Sequence, residues 1–228
     1  MQGTLRTWGL AGLAAAACAL GPAITPAESA GKTARFNVTT VQKATGGNVT
    51  VTSQVWITQT QARIELKHPL QGNSTWLVTG GNLYQFNHRT KQGIRIPLPD
   101  KIKKSKDNFD FLISRFAFDA RGVLKSGKKL RTENAAGYLC DVVKSSETKG
   151  EASRSVMVWV PQKMQPKFPV KAVVEMKVTK PGANLSESIS VALSNIKLNG
   201  AIPASTFTLP KGYKIQDVPA GAGAPARK

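Results

Sequence analysis

Alternating apolar and polar residues dominate the first half of the sequence. In NVTVTSQVWIT, residues 48–58, Val51, Val55 and Ile57 share one side of an extended chain, and Trp56 lies on the other side. This two-residue period is typical of a β-strand. Comparable segments, namely ARFNVTT, ARIELKH, STWLVTG, NLYQF and GIRIPLP, are separated by glycine-rich or polar turns. The pattern predicts a series of short antiparallel strands joined by hairpins.

One segment interrupts the strands. In KDNFDFLISRFAF, residues 106–118, large apolar side chains recur at positions i, i+3, i+4 and i+7, which predicts an amphipathic helix. These side chains are Phe109, Leu112, Ile113 and Phe116. Asp107 or Asn108 is placed to cap the start of the helix. Strands resume after this segment, so the sequence predicts roughly ten strands and one helix.

Two of the later strands are irregular. The segment VMVWV, residues 156–160, is apolar on both sides, with Val158 on one side and Trp159 on the other. Each face then needs a cover, which is the helix, the opposite wall of a curled sheet or a bound apolar ligand. In the last long strand Leu193 and Ile196 are out of phase, which predicts a β-bulge near Ser194–Asn195.

The first thirty residues have the order of a secretory signal. Arg6 is followed by the apolar stretch WGLAGLAAAACAL and then by small residues. We expect residues 1–30 to be a signal peptide and the protein to be periplasmic or otherwise extracytoplasmic. Cys18 follows three alanines and is a candidate for a lipid anchor, with ordinary signal cleavage as the alternative. Cys140 alternates with Tyr138 and Val142, which predicts a buried and unreactive thiol.

The sequence is strongly basic, with a formal net charge of +19. Between Arg89 and Arg131 thirteen basic residues stand against four acidic ones. The positive electrostatic field of such a segment favours binding to polyanions or to an anionic membrane surface. A solvated basic face that only keeps the protein in solution is an equally good interpretation of these charges.

Residue patterns that carry catalysis are nearly absent from the sequence. His68 and His88 each stand beside a predicted turn, without an HExxH pairing or a nearby cysteine, so we expect exposed histidines and no metal site. There is no nucleophile elbow, P-loop or dinucleotide-binding glycine motif. The close carboxylates Asp107, Asp110 and Asp119 fit helix capping and turns better than paired acid and base chemistry. We therefore expect neither an enzyme nor a cofactor.

The order of the segments resembles a known superfamily. The sequence carries RIEL, GGNLYQFNHRTKQGIRIPLP, the aromatic helix, AAGYLCDVV, VMVWVP, PVKAVVEMKV and LSNIKLNGAIPASTFTLPKGYKI in this order. This succession resembles the LolA/LolB-like superfamily of periplasmic lipoprotein carriers and outer-membrane lipoprotein-sorting proteins. The resemblance covers residues 33–214, and its most specific pieces are the G-x-x-C segment at Gly137–Cys140 and the closing segment 195–213.

The resemblance implies a mainly β fold for residues 31–213. It would be a strongly curved, incompletely closed antiparallel β-barrel with an amphipathic helix as a lid and an interior that accepts acyl chains. The hairpin 80–99 would be part of the wall, and Pro97 and Pro99 would end its second strand because proline lacks the ladder N–H. The residues implied for a hydrophobic ligand site are Trp56, Trp76, Tyr84, Phe109, Leu112, Ile113, Phe116, Trp159 and Met176. Without the resemblance, the apolar stripe of the helix is better explained as plain core than as a ligand lid.

The last fifteen residues differ in composition from the rest of the chain. Residues 214–228, KIQDVPAGAGAPARK, are rich in glycine, alanine and proline and have no apolar period. This composition predicts a disordered tail.

Two functions fit these observations. The first is a non-enzymatic carrier or chaperone that binds a lipid, a lipoprotein acyl chain or another hydrophobic ligand. Lysines at the mouth would meet anionic head groups, and the candidates are Lys101, Lys103, Lys104 and Lys106. Its partners would be a lipid or lipidated protein, with an envelope membrane or acceptor protein, and the chain would act as a monomer. The second function is an envelope β-scaffold that binds an anionic polymer or protein partner through the basic stretch from Lys101 to Arg131. Nucleic acid is not an expected partner of an exported chain.

Overall fold

The computed structural model describes residues 32–44, 47–180 and 183–218. The predicted signal segment, with Cys18, lies outside these residues. The described chain forms twelve strands. They are β1 (Ala34–Ala44), β2 (Gly47–Ile57), β3 (Ala62–His68), β4 (Gly72–Thr79), β5 (Asn82–Asn87), β6 (Gln92–Pro97), β7 (Lys128–Ala135), β8 (Tyr138–Lys149), β9 (Ala152–Pro161), β10 (Lys171–Lys180), β11 (Ala183–Leu198) and β12 (Lys214–Asp217).

All twelve strands belong to one sheet that does not close on itself. Its order is β12-β6-β5-β4-β3-β2-β1-β11-β10-β9-β8-β7. The neighbouring strands are antiparallel, except that β12 runs parallel to β6. Within the described residues, β12 and β7 form the two free edges. The predicted fold class, a mainly β structure with a curved and open barrel-like sheet, is confirmed.

Three short helices connect the two halves of the sheet. They are α1 (Asp100–Lys103), α2 (Phe109–Phe116) and α3 (Arg121–Ser126). Since β6 lies beside one edge of the sheet and β7 forms the other edge, this connection has to cross a face of the sheet. The sequence predicted α2 but not α1 or α3, which are too short to show a clear helical period. Among the described residues, no helix combines the length and the apolar character needed to cross a membrane.

The connection from β6 to the helices begins at the two prolines that end the hairpin 80–99. Pro97 is the last residue of β6, and Pro99 immediately precedes α1. The N–H of Leu98 still donates to the carbonyl oxygen of Gly81, 3.0 Å away. The prediction that the chain leaves the sheet at these prolines is confirmed.

The main hydrophobic core lies between the helices and one face of the sheet. We call this the inner face, and it carries Phe36, Val55 and Ile64. The rings of Phe36 and Phe168 lie 5.9 Å apart between their centroids and join β1 to the loop after β9. A second, smaller cluster lies on the opposite, outer face of the sheet. It contains Leu77, Tyr84, Phe86 and Phe207, with Trp56, Ile202 and Tyr213 packed against them.

The phase change in β11 is a β-bulge. Arg35 of β1 pairs with Lys197, whereas Asn37 pairs with Ser194, so β11 contains one more residue than β1 across this interval. Asn195 has a φ of 53°, in the left-handed region that asparagine tolerates. The extra residue returns Ile196 to the main core, and the predicted bulge is confirmed.

The C-terminal segment is more ordered than its composition suggests. A 3-10 helix spans Ala204–Phe207, and the chain then adds β12 to the edge of β6. The guanidinium of Arg95 donates to both carboxylate oxygens of Asp217, at 2.6 and 2.8 Å. The prediction of a disordered tail from residue 214 is therefore wrong for residues 214–218, because β12 uses the backbone of β6 and needs no apolar pattern of its own. Residues 219–228 lie outside the described part of the chain.

Candidate functional site

The lid helix, our name for α2, buries its whole apolar stripe. Phe109, Leu112, Ile113 and Phe116 are all at most 7% exposed and belong to the main core. The spacing of three and four residues places these side chains on one side of the helix, as predicted. The lid helix packs against β2 in particular. The structure therefore brings these four predicted site residues together in the main core, between the lid helix and the inner face of the sheet.

The start of the lid helix is held by polar groups. The N–H of Phe109 donates to the carboxylate of Asp107 at 2.9 Å. Asn108 occupies the N-cap position, and its side chain makes no capping hydrogen bond. The N–H of Asn108 donates to the carbonyl oxygen of Gln59 at 2.6 Å, and its side-chain amide donates to the carbonyl oxygen of Ile102 at 2.8 Å. Asp107 also forms an ion pair with Lys32. Polar anchoring is concentrated at this end, whereas the buried side of the helix is apolar.

Three further predicted residues contact the same core. Trp76 and Met176 are half-buried and pack against it. Trp159 is buried, and its indole N–H donates to the carboxylate of Glu133. The ammonium group of Lys171 lies 4.3 Å from the centroid of the Trp159 ring. Trp159 is thus fixed by polar partners as well as by packing.

Trp56 and Tyr84 do not join this group. Both pack in the cluster on the outer face, where Tyr84 stacks on Phe86 with 6.1 Å between the ring centroids. The neighbouring strand positions Val55 and Leu83 contact the main core instead. Their assignment to the lining of an inner cavity is corrected, because alternation along a strand separates two faces without indicating which face is inside.

The inner face is covered by side chains of the protein itself. Two surface clefts among the described residues have volumes of about 430 and 550 Å³. The first is lined by Trp56, Arg63 and the C-terminal segment, and the second by the start of β7 and the middle of β8. Neither cleft is lined by the lid helix. Because the apolar stripe of the lid helix is buried in the main core, a ligand between the lid helix and the inner face would have to displace lid side chains.

The predicted head-group lysines surround α1. Lys101, Lys103, Lys104 and Lys106 are all exposed. The Lys103 ammonium group lies 3.6 Å from Asp100, in an exposed pair that contributes little stability. These lysines lie immediately before the lid helix in the chain, where an anionic group could reach them from solution.

Cys140, His68 and His88 each have hydrogen-bond partners in the described part of the chain. Cys140 is fully buried, and desolvation raises the pKa of its thiol, as expected for an unreactive cysteine. The histidines are half-buried, not exposed as predicted. His68 accepts the N–H groups of the turn that follows it. His88 bridges the hydroxyls of Thr75 and Tyr213, and burial followed by the charge of Lys91 lowers its pKa.

Comparisons with known proteins give only distant similarities. No family model matches the chain. No curated protein matches it either. Among solved structures, an uncharacterized conserved protein from Thermus thermophilus has 10% identity and a TM-score of 0.44, over 81% of this chain and 90% of that chain. Lipoprotein LppX of Mycobacterium tuberculosis has 15% identity and a TM-score of 0.39, over 73% of this chain and 88% of that chain.

A third solved structure is a putative outer membrane lipoprotein-sorting protein domain from Vibrio parahaemolyticus. It has 13% identity and a TM-score of 0.23, over 79% of this chain and 90% of that chain. With TM-scores below 0.5 and identities of 10–15%, these similarities carry no argument about family, ligand or partner.

Proposed function

We propose that the protein is a non-enzymatic extracytoplasmic carrier or chaperone that binds a hydrophobic ligand between the lid helix and the inner face of the open sheet. The ligand would be a lipid, the acyl chain of a lipoprotein or another apolar molecule. The observation that carries the proposal is the complete burial of the apolar stripe of the lid helix on an apolar sheet face. The proposed location is extracytoplasmic, with Cys18 as a candidate for a lipid anchor.

The hydrophobic free energy gained by burying a ligand is similar to the free energy lost when the lid side chains are displaced, so exchange between them is close to neutral. Burying one methylene group stabilises by about 0.8 kcal/mol, so an acyl chain of about ten methylenes gains about 8 kcal/mol. The burial of four large apolar side chains is worth a similar amount, at about 1.5–3 kcal/mol each. Because hydrophobic contacts are not directional, the apolar stripe of the lid helix can leave the sheet and pack again over a ligand in a shifted position.

The lysines around α1 would then contact the ligand's polar end. Lys101, Lys104 and Lys106 are exposed, and none of them has a carboxylate within 4 Å among the described residues. An anionic head group or an anionic membrane surface would be attracted to them. In this proposal the protein acts as a monomer that exchanges its ligand with a membrane or an acceptor protein.

The test is a charge placed in the lid. Phe116→Asp should reduce the affinity for an environment-sensitive fluorescent fatty acid by about tenfold or more, since a carboxylate is costly to bury. Leu124→Asp adds the same charge at a leucine of α3 that is 47% exposed, and it should leave the affinity unchanged. Circular dichroism and thermal unfolding establish that both variants are folded. Unchanged affinity in folded Phe116→Asp would refute the proposal.

The second candidate function, binding of an anionic polymer through the basic stretch, has less support. Several of its charges are paired, since Arg121 contacts Asp119, Lys129 contacts Asp141 and Arg131 contacts Glu133. The exposed lysines of α1 are the observation in its favour. Polyanion binding that falls steeply with added salt and that Lys101→Gln weakens would support this function.

A further inference from the structure

A row of basic and aromatic side chains crosses the outer face of the sheet. Lys197 of β11 pairs with Arg35 of β1, Arg35 pairs with Trp56 of β2, and Trp56 pairs with Arg63 of β3. Directly paired residues of antiparallel strands project from the same face. The two residues that flank Arg35, Ala34 and Phe36, belong to the main core, so this row lies on the face away from the lid helix.

The two cations at one end of the row are free of carboxylates. The Arg35 guanidinium lies 5.7 Å from the centroid of the Trp56 ring, within the range of a cation–π contact. Arg35 and Lys197 are both exposed, and neither has a carboxylate within 4 Å in the described part of the chain. Their charge is available to an anion from solution.

A cleft of about 430 Å³ begins beside the ring of Trp56. One wall is formed by Trp56, Arg63 and Glu65, and the other by residues of the segment 203–210. Arg63 links the two walls, because its guanidinium contacts Glu65 at 2.9 and 3.0 Å and donates to the carbonyl oxygen of Thr206 at 3.1 Å. The cleft is therefore held in shape by contacts between distant parts of the sequence, and the charge of Glu65 is neutralised.

We infer that this cleft binds an acidic saccharide, with a sugar ring against Trp56 and its carboxylate or sulfate toward Arg35 and Lys197. The indole ring offers a large, rigid apolar surface on which the C–H face of a sugar can pack. Arginine forms paired hydrogen bonds with planar oxyanions. Ser205, Thr206 and Thr208 place hydroxyl-bearing residues in the opposite wall, suited to sugar hydroxyls.

Single-stranded nucleic acid uses a similar combination of aromatic and basic groups. The saccharide is favoured because Trp56 is the one aromatic residue among the described residues that line this cleft, whereas a nucleic acid strand stacks successive bases on several aromatic rings. Ser205, Thr206 and Thr208 add hydroxyl-bearing side chains, which can both donate to and accept from sugar hydroxyls. The site is independent of the proposed lipid site, since the sheet lies between the two.

The inference is tested by calorimetry on the purified protein at low salt. Hexagalacturonate should bind, and the neutral maltohexaose should bind about tenfold more weakly or not at all, because it lacks the carboxylates. Arg35→Gln should weaken hexagalacturonate binding by about fivefold and Trp56→Ala by about tenfold. Arg89→Gln, at an exposed arginine of the β5–β6 turn, is the matched control and should bind like the unaltered protein.

Three results would overturn the inference. The first is that hexagalacturonate and maltohexaose bind equally well, or that neither binds. The second is that Arg35→Gln binds hexagalacturonate as the unaltered protein does. The third is that an oligothymidylate binds more tightly than hexagalacturonate. Arg35 is exposed, so its variant is expected to fold and decides the question even if Trp56→Ala is unstable. Retention of a fatty-acid probe in the same samples reports on the lipid site separately.

Discussion

The backbone N–H of Asn108 donates a hydrogen bond to the carbonyl oxygen of Gln59 across 2.6 Å. This bond joins the residue before the lid helix to the turn between β2 and β3. The Asn108 side chain reaches back to the carbonyl oxygen of Ile102 in α1, at 2.8 Å. Asn108 is 9% exposed, so these polar groups form a protected anchor at the end of the helix from which the buried apolar stripe begins. The anchor is where we expect the lid to pivot.

Loss of the Asn108 side chain should loosen the lid. Asn108→Ala removes the hydrogen bond to Ile102, whose carbonyl oxygen then keeps the N–H of Ser105 at 3.3 Å, so we expect about 1 kcal/mol less stability. The lid helix should also exchange its amide protons faster, because α1 no longer supports its start. Urea unfolding measures the first effect and hydrogen exchange the second. Ser114→Ala, which removes a side-chain bond within the helix, is the comparison, and a similar acceleration of exchange there would contradict a special role for Asn108.

The contact between Glu133 and Trp159 predicts a pH dependence of stability. The indole N–H of Trp159, followed by the guanidinium of Arg131, lowers the pKa of the Glu133 carboxyl. Its ionised form therefore stabilises the fold above the ordinary glutamate pKa of about 4.3, and this contribution is lost as the pH falls through the lowered value. Thermal unfolding should show Glu133→Gln less stable than the unaltered protein near neutral pH, with the difference shrinking in acid. A difference that stays constant with pH would contradict this assignment.

Gly127 has no room for a side chain. A Cβ atom at this position would lie 2.4 Å from the carbonyl oxygen of Val123 and 2.9 Å from that of Lys144. Gly127→Ala should therefore destabilise the junction of α3 and β7 by about 2 kcal/mol or more. Gly122, inside α3, has no atom within 4 Å of such a Cβ, and Gly122→Ala should stabilise by about 0.5–1 kcal/mol. Chemical denaturation of both variants tests the pair, and equal effects would refute the steric argument.

The C-terminal segment is fixed to the outer face by a hydroxyl group. Tyr213 places this hydroxyl 2.5 Å from Nδ1 of His88 and its ring edge-on to Phe86. Tyr213→Phe keeps the ring contact and removes the hydrogen bond, so stability should fall by about 1 kcal/mol and β12 should exchange its amides faster. Tyr138→Phe is the control, at a half-buried tyrosine of β8. An equal effect of the two substitutions would mean that the bond to His88 adds no stability.

Elements with a regular side-chain period could be predicted from the sequence. Packing on one face requires apolar residues at a fixed spacing along the chain. This spacing is visible in the stripe of the lid helix, in the alternation of β2 and in the phase change at Asn195. The end of β6 at Pro97 was predictable because proline cannot continue the hydrogen-bond ladder.

Features that depend on distant partners could not be predicted. β12 has four exposed residues and exists because its backbone pairs with β6 and Asp217 meets Arg95. His88 has its hydroxyl partner 125 positions along the chain. Trp56 was assigned to the inner face because alternation separates the two faces of a strand without showing which of them faces the core. Only the position of the helices identifies the inner face.

Mass spectrometry of organic extracts from protein purified gently out of its native envelope tests the carrier function most directly. We expect about one apolar molecule, such as a phospholipid or an acylated peptide, per folded chain, because the inner face and lid provide one site. The unaltered protein should carry it and Phe116→Asp should not. Folded protein that repeatedly yields no apolar molecule, and that takes up none from lipid vesicles, would contradict the carrier function and leave the buried stripe of the lid helix as plain core.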